Sequence, residues 1–413
     1  MATPEQIAHL LRRTGFAIQP GQLRSLASED IHDLIDQRLE DEGWALSEAE
    51  ANARDLEDVR YDTLPTEWMN RIMSPAAGLH ERMVWFWHNH FTTNRNETTY
   101  RHLWRQHHLV RRHALGNLRD LTRDIIVDGA MLHFLDGDGS IGEAPNENFS
   151  REFMELFVLG RNAGYTEQDV RAGARILSGW SVEYETAEVI FESDRHYSRP
   201  VEFLGERRQW TLDDYVDTVL TQPSAAGYIA GKIHSYLTSM PLSDERRGEL
   251  ADVLSNNDWE IRPLLSEILH HDDFTGAQGR RTRQPVEWLA GAATAFDVDA
   301  VGEDGFEFWQ LSASGQTPFE PPNVAGWVDD ERWSSPSQVI GRGNTVMHWD
   351  IGDRLINSIE PSPEAVLEHC GIPVASDTTL NAMRRALDAQ TEYDRGLELL
   401  LTLAVLSPEF ATI

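Results

Sequence analysis

Helix-start chemistry recurs along the whole chain and constrains its fold more than any other feature. Thr3-Pro4-Glu5-Gln6 puts an N-cap hydroxyl, a proline at the first helical position and a capping-box glutamine into one tetrapeptide. Ile7, Leu10 and Leu11 then share one helical face, and Gly15 supplies a stop. Thr166-x-x-Asp169, Thr211-x-x-Asp214 and Ser362-Pro363 repeat the start signal. Apolar residues recur near a helical period over 21–40, 47–60, 76–91, 97–113, 117–127, 149–160, 167–179, 223–238, 243–255, 260–270, 283–296, 345–358, 378–389 and 394–406. Strand patterning is thin: Val182 to Tyr184 against Val189 to Phe191, turning at Thr186-Ala187, predicts one hairpin near residues 181–192. No longer period recurs, so a solenoid is not expected. The expected fold is mainly α: a single large multi-helix domain over 1–413 with one small β-hairpin. A subdivision would fall between a motif-bearing half, 1–209, and a helical half, 210–413. Three long loops, Gly137 to Asn148, Ser193 to Arg208 and Gly315 to Pro336, hold the polar, Gly- and Pro-bearing residues that sites use.

Charge narrows the function classes. The chain carries 68 acidic against 36 basic residues, a net charge of −32. Nucleic acid and anionic membrane surfaces both need a basic footprint, so neither is an expected partner. Lys232 is the single lysine and the other 35 basic residues are arginine. So large an acidic excess repels itself at low ionic strength and is screened at molar salt, which predicts a salt-requiring protein from a halophilic host. Cys370 is the one cysteine, so no internal disulfide forms. The longest apolar stretch, Leu399 to Leu406, contains Thr402 and is too short to span a membrane. Met1 to Gly15 reads as a capped helix rather than a signal peptide, so a cytoplasmic location is expected.

Two segments stand out for chemistry. In Met83-Val84-Trp85-Phe86-Trp87-His88-Asn89-His90-Phe91, aromatic rings surround a His-x-His. Helical residues two apart point about 200° from each other, so His88 and His90 grip one metal only where the helix ends near Asn89. Otherwise each serves a different partner, as metal ligand, proton carrier or satisfied core histidine. In Pro145-Asn146-Glu147-Asn148-Phe149-Ser150-Arg151-Glu152-Phe153-Met154-Glu155-Leu156-Phe157, Asn148 suits a helix cap and Asn146 a turn. Glu152 and Glu155, three apart, repel unless a cation, a proton or an arginine lies between them. They are either ligands inside a helical bundle or a solvated acidic edge, and the aromatic density of the segment favours burial. Asp136, Asp138 and His196 are loop positions. Pro318 to Trp327 is neither helix nor strand, and presents Trp327 either as an aromatic platform for sugar or peptide or as a rigid buried plug. Phosphate-binding glycine loops, a Gly-x-Ser-x-Gly elbow, His-Glu-x-x-His and Cys-based metal patterns are all absent. His369 beside Cys370 is weak evidence for a thiol nucleophile.

These motifs, with others in order, resemble the domain-of-unknown-function 1800 family of bacterial and archaeal proteins. The resemblance rests on His9 to Phe16, Trp87 to Phe91, Arg111 to Asn117, Met131 to Asp136, Pro145 to Glu152, Gly164 to Val170 and Ser178-Gly179-Trp180. It continues through Phe203-Leu204-Gly205, Pro318 to Trp327 and Leu406 to Phe410. It implies one family-length unit and brings no established reaction. It also implies that many relatives are exported with an N-terminal extension, and that a sulfatase-like protein is a partner. It further implies an acidic residue directly after the histidine, where this chain has Tyr197 after His196.

Two functions fit the residues. In the first, a metal-dependent hydrolase or oxidoreductase, His88, His90, Glu152 and Glu155 converge on zinc, manganese or iron. Glu152, Glu155, His90 and Arg151 are then catalytic, and Asn146, Asn148, Asp136 and Trp327 bind substrate. In the second, a non-catalytic protein for a glycan or protein partner, the same residues form a buried structural polar network.

Overall fold

In the computed structural model the structure describes residues 1–53, 63–298, 310, 312, 313, 315–328, 331–349, 351, 353–390 and 393–413. Thr3, Thr166 and Thr211 each close a full capping box, and Ser362 caps the Pro363–His369 helix through the Ala365 amide. Local sequence therefore sets these helix starts, each worth on the order of 1 kcal/mol. The expected 21–40 segment divides into Gln22–Ser25 and Ile31–Leu39, because Asp30 caps a fresh start by accepting from the His32 amide. Part of 47–60 is the Glu48–Ala53 helix, and positions 54–60 lie outside the described residues. The expected 345–358 helix is displaced: Pro336–Val346 forms instead, started by Ser335-Pro336, and Asp353–Ile356 is a single turn. Positions 350 and 352 of that segment lie outside the described residues.

The Leu79–His90 helix is the axis of the core, with all but Asn89 of its residues buried. Around it pack Pro4–Thr14 and Tyr100–His113, while Pro285–Phe296 packs on Thr63–Met73. A connected set of buried apolar side chains runs from Ala2 to Phe410, so residues of both halves share one core. The expected hairpin is present two residues earlier on its first strand: Trp180–Val182 pairs antiparallel with Val189–Phe191, in the register Trp180 to Phe191 and Val182 to Val189. A second hairpin, Val201–Phe203 with Glu206–Arg208, lies inside the stretch expected to be loop. It turns through Leu204 and Gly205, both at positive φ (47° and 85°), a two-residue turn that a leucine in the left-handed region disguises. The Gly137–Asn148 loop is stitched to the first hairpin, since the Val182 amide donates to Asp138 Oδ1 at 2.9 Å and the Gly139 amide to Trp180 O at 2.8 Å. No helix among the described residues is long and apolar enough to cross a membrane.

Candidate functional site

Burial on nearly every face obliges the polar residues of the Leu79–His90 helix to find partners. His80 Nε2 donates to Arg111 O at 2.8 Å, and Trp68 Nε1 and Arg111 Nη1 both donate to Glu81 Oε1 at 2.8 Å. Trp85 Nε1 reaches Gln284 Oε1 and Trp87 Nε1 reaches Ala114 O. His88 and His90 diverge, as helical geometry requires of residues two apart. His88 enters an aromatic cage, with ring centroids 4.5 Å from Phe319 and 4.7 Å from Trp68, and among the described residues neither of its nitrogens has a hydrogen-bond partner. Burial lowers its pKa to about 3, so the ring is neutral. His90 points the other way, donating from Nε2 to Phe157 O at 2.8 Å.

That carbonyl belongs to a feature invisible in the sequence. The helix begun at Asn148 passes at Phe153 into a π-helix that runs to Val158. The carbonyls of its last turn find no helical partner. Phe157 O takes His90, while Leu156 O takes the Tyr228 hydroxyl at 2.8 Å and Lys232 Nζ at 3.3 Å. Phe153 and Phe157 face the core, and Glu152 and Glu155 are only half-buried. Glu155 Oε1 accepts from Arg161 Nε at 2.7 Å. The Glu152 carboxyl is raised above its usual range, first by burial and then by the charge of Glu155. Arg151 forks onto Glu167 at 2.6 and 2.8 Å and reaches Glu147 at 3.2 Å. The His and Glu motifs thus meet through a main-chain carbonyl, with the carboxylates on the outer edge of the π-helix. Among the described residues no group of three or more His, Cys, Asp or Glu side chains is placed to hold a metal ion.

The expected substrate-binding residues are spread out. Asp136 is exposed with φ 57°. Asn146 Oδ1 accepts from the Asn148 amide at 2.8 Å, the turn expected of Asn146, while Asn148 is the first helical residue and Glu147 rather than Asn148 holds the cap position. Trp327 is buried and stacks on Trp85 with centroids 5.7 Å apart, the plug rather than an open platform. Asn89 fastens it in both directions, accepting from the Trp327 amide at 2.7 Å and donating to the Trp327 carbonyl at 3.1 Å. Gly326, at φ 80°, brings the chain so close that a Cβ there would lie 2.3 Å from Asn89 Oδ1. Residues 329 and 330 of the Gly315–Pro336 loop lie outside the described residues.

The Glu155–Arg161 pair supplies a test. Arg161 is 74% exposed and Glu155 25%, and such a pair contributes no more than about 1 kcal/mol. Glu155→Ala is expected to shift equilibrium unfolding by less than that, and to lower the Glu152 pKa by removing a like charge. A loss of several kcal/mol would show that the pair belongs to the buried framework.

A different set of residues lines a polar cavity of about 440 Å³. The Tyr100–His113 helix presents His102, Arg105, Leu109 and Arg112 along one face. Opposite stand Asp128, Gly129, Asp124, Glu48 and the hairpin residues Glu188 to Ile190. Thr99 caps the helix and holds His102 Nδ1 at 2.6 Å. Gly129 makes room for the imidazole, since a Cβ there would lie 2.7 Å from His102 Cδ2. Asp128 caps the Gly129–Phe134 helix, its Oδ1 accepting from the Met131 amide at 3.0 Å and from Gln106 Nε2 at 2.8 Å. Gln106 is set in turn by Thr93, 2.5 Å away.

The electrostatics of this cleft invert the usual order of two of its titrating groups, Asp128 and His102. Burial pushes the Asp128 carboxyl up to about 7, against the pull of its hydrogen bonds and of Arg105. Burial, then the charges of His133 and Arg105, push His102 down to about 4. Near neutral pH the carboxyl is about half protonated, while the imidazole is neutral. Arg112, half-buried in the same wall, lies within the field of the Glu48, Asp124 and Asp128 carboxyls. The sequence signal was Thr99-x-x-His102 followed by Arg105, Gln106 and Arg112 at helical spacing. Read as amphipathicity alone, it gives no sign of a cleft, because Asp128 and Glu188 complete it from elsewhere.

The family described as "Protein of unknown function (DUF1800)" matches residues 9–412. No curated protein and no solved structure matches the chain.

Proposed function

Since the chain belongs to the DUF1800 family, whose description assigns no reaction, we propose from its geometry that it is a hydrolytic enzyme working by general acid–base catalysis in the Asp128–His102 cleft. One observation carries the reading: a buried, proton-retaining carboxyl and a neutral imidazole line a single polar cavity. Perturbed titrating groups in a concave polar site are the usual mark of acid–base chemistry. In this reading His102 takes a proton from water as the water attacks, and Asp128 delivers one to the leaving group. Arg112, which also feels the charges of Glu48 and Asp124, supplies a cation for an anionic group on a small substrate. Thr99 and Gln106 orient the two groups through the bonds described above.

A panel of chromogenic esters, phosphoesters and glycosides, assayed in molar salt to screen the acidic surface, tests this. Asp128→Asn is expected to lower turnover on any responsive substrate by about 10²-fold or more, with folding intact. Because the acid must hold its proton, wild-type activity is expected to fall as pH rises through about 7. Turnover of Asp128→Asn equal to wild type, or a rate flat across neutral pH, would remove Asp128 from the chemistry.

A second reading, of a binding protein without chemistry, is favoured by the partners already held by the motif residues. Arg151 ties Glu147 to Glu167, Asn89 ties the Trp327 loop and His90 ties the π-helix.

A further inference from the structure

Charge in the cleft of about 440 Å³ is sorted by the segment that supplies it. Its two guanidiniums, Arg105 and Arg112, both belong to the Tyr100–His113 helix, seven residues and so about 10 Å apart along its axis. Among the described residues its carboxyls all come from elsewhere. Glu48 opens the Glu48–Ala53 helix, Asp124 lies in Leu118–Ile126, Asp128 caps the next helix and Glu188 directly precedes the second strand of the first hairpin. Leu109, between the two arginines on the same helix face, joins Val127, Val189 and Ile190 in an apolar middle stretch. One wall is thus cationic and those around it acidic.

This arrangement selects against ligands of a single sign. A phosphate or sulfate drawn to the guanidiniums meets the carboxylates of Glu48 and Glu188, and a simple cation meets the reverse. Two of the charged groups are already engaged: Arg105 donates through Nη1 to Ala187 O, and Asp124 Oδ2 lies 2.9 Å from His113 Nε2. Glu48 acts on both arginines, while Glu188, which is exposed, acts most strongly of the carboxyls on Arg105. Arg112 at one end and Glu188 towards the other are therefore the charges a ligand can engage. A ligand bearing both signs leaves neither stripped of water without a counter-charge. Their spacing sets its length, since an extended peptide advances about 3.3–3.6 Å per residue and three residues cover about 10 Å.

We propose that the cleft receives a short peptide with free termini, its carboxylate on Arg112 and its ammonium on Glu188. The planar guanidinium matches a carboxylate, and the apolar stretch takes the side chains between. The inference deepens the hydrolytic reading and rests on it for the fate of the ligand. The bond nearest the ammonium lies towards His102, one helical turn beyond Arg105. Hydroxyl from water joins the carbonyl carbon, the C–N bond breaks and the amine leaves with a proton, so peptide and water give acid and amine.

Trialanine, N-acetyl-trialanine and trialanine amide, titrated calorimetrically into the full-length chain at pH 7, test the site, and chromatography of the same mixtures reports released alanine. Free trialanine is expected to bind about tenfold tighter, or more, than either capped form, the usual worth of a charged hydrogen bond. Glu188→Gln should weaken trialanine and its amide while leaving the acetyl form unchanged. Arg112→Gln should weaken trialanine and the acetyl form while leaving the amide unchanged. Both variants should keep the far-ultraviolet dichroism of the wild type. Equal binding of the three probes, no binding of free trialanine, or variants that weaken all three alike would overturn the peptide site. Selective binding without release of alanine supports the site and removes the hydrolysis. Turnover of other substrates by a cleft that ignores the termini of trialanine removes this inference alone.

Discussion

Acidification from pH 7 towards pH 5 is expected to unfold this protein steeply, by way of histidines held neutral in its interior. His9 and His88 are lowered to about 3 and His102 to about 4, while His90 and His107 lie well below the usual imidazole value, burial being the largest cause for each. In the unfolded chain each takes a proton near pH 6.5. Below that pH the unfolded state binds protons that the folded state refuses, so stability falls as pH falls. Asp128 acts with the opposite sign: its folded carboxyl keeps a proton up to about 7, where the unfolded one has lost it, so acidification stabilises through this group. These five histidines against Asp128 give a net uptake of four protons on unfolding, and His80, His234 and His369, also lowered by burial, add in the same direction. At about 1.4 kcal/mol per proton per pH unit, four protons set a limiting slope of about 5–6 kcal/mol per unit. Relief of the −32 charge offsets part of it as acids and histidines protonate. Chemical denaturation at a series of pH values in constant high salt measures the slope. Stability that is flat or rising between pH 6.5 and 5 would contradict the neutral, buried state of these rings.

Glu287→Ala is expected to cost about 3–5 kcal/mol, the range for breaking a buried ion pair from one side. Glu287 is 1% exposed and receives Arg281 Nη2 at 2.6 Å, the Gln284 amide at 2.8 Å and, from the central helix, Arg82 Nη1. Burial alone would raise its carboxyl, yet the charges of Arg281 and Arg82 hold it down at about 2. Arg82 also donates to the carbonyls of Arg12 and Gly15, so this cluster clamps the end of the first helix to the core. Removing the carboxylate strands two buried guanidiniums beside a third, Arg283, whose pKa burial has already lowered. Denaturant midpoints at constant slope check the value, and a cost below about 1 kcal/mol would show that water or another anion compensates. Since Glu287 stays ionised throughout the histidine transition, the two effects separate by pH.

Helix starts were readable because a cap is a contact among neighbours. Thr3 to Gln6, Thr166 to Asp169 and Thr211 to Asp214 each carry their whole stabilising geometry within four residues. The divergence of His88 and His90 was readable for the same reason: helical rotation per residue is a local property. The π-helix was not, since Phe153–Val158 has ordinary helical patterning and its spare carbonyls are satisfied by His90, Tyr228 and Lys232 from distant segments. The Val201–Arg208 hairpin escaped because its turn residue Leu204 belongs to a type seldom found at positive φ.

The chain by itself determined that helices form, where many of them begin and which faces turn inward, because hydrogen bonds and caps close within one turn. Only the tertiary structure decided which polar groups lose water. Asp128, His102 and Glu188 become one cleft, and Glu152 with Glu155 an outer edge, through the packing of segments remote in sequence. Desolvation, which sets the acid–base character of each group, depends on everything that surrounds it in space, and no short stretch of sequence contains that information.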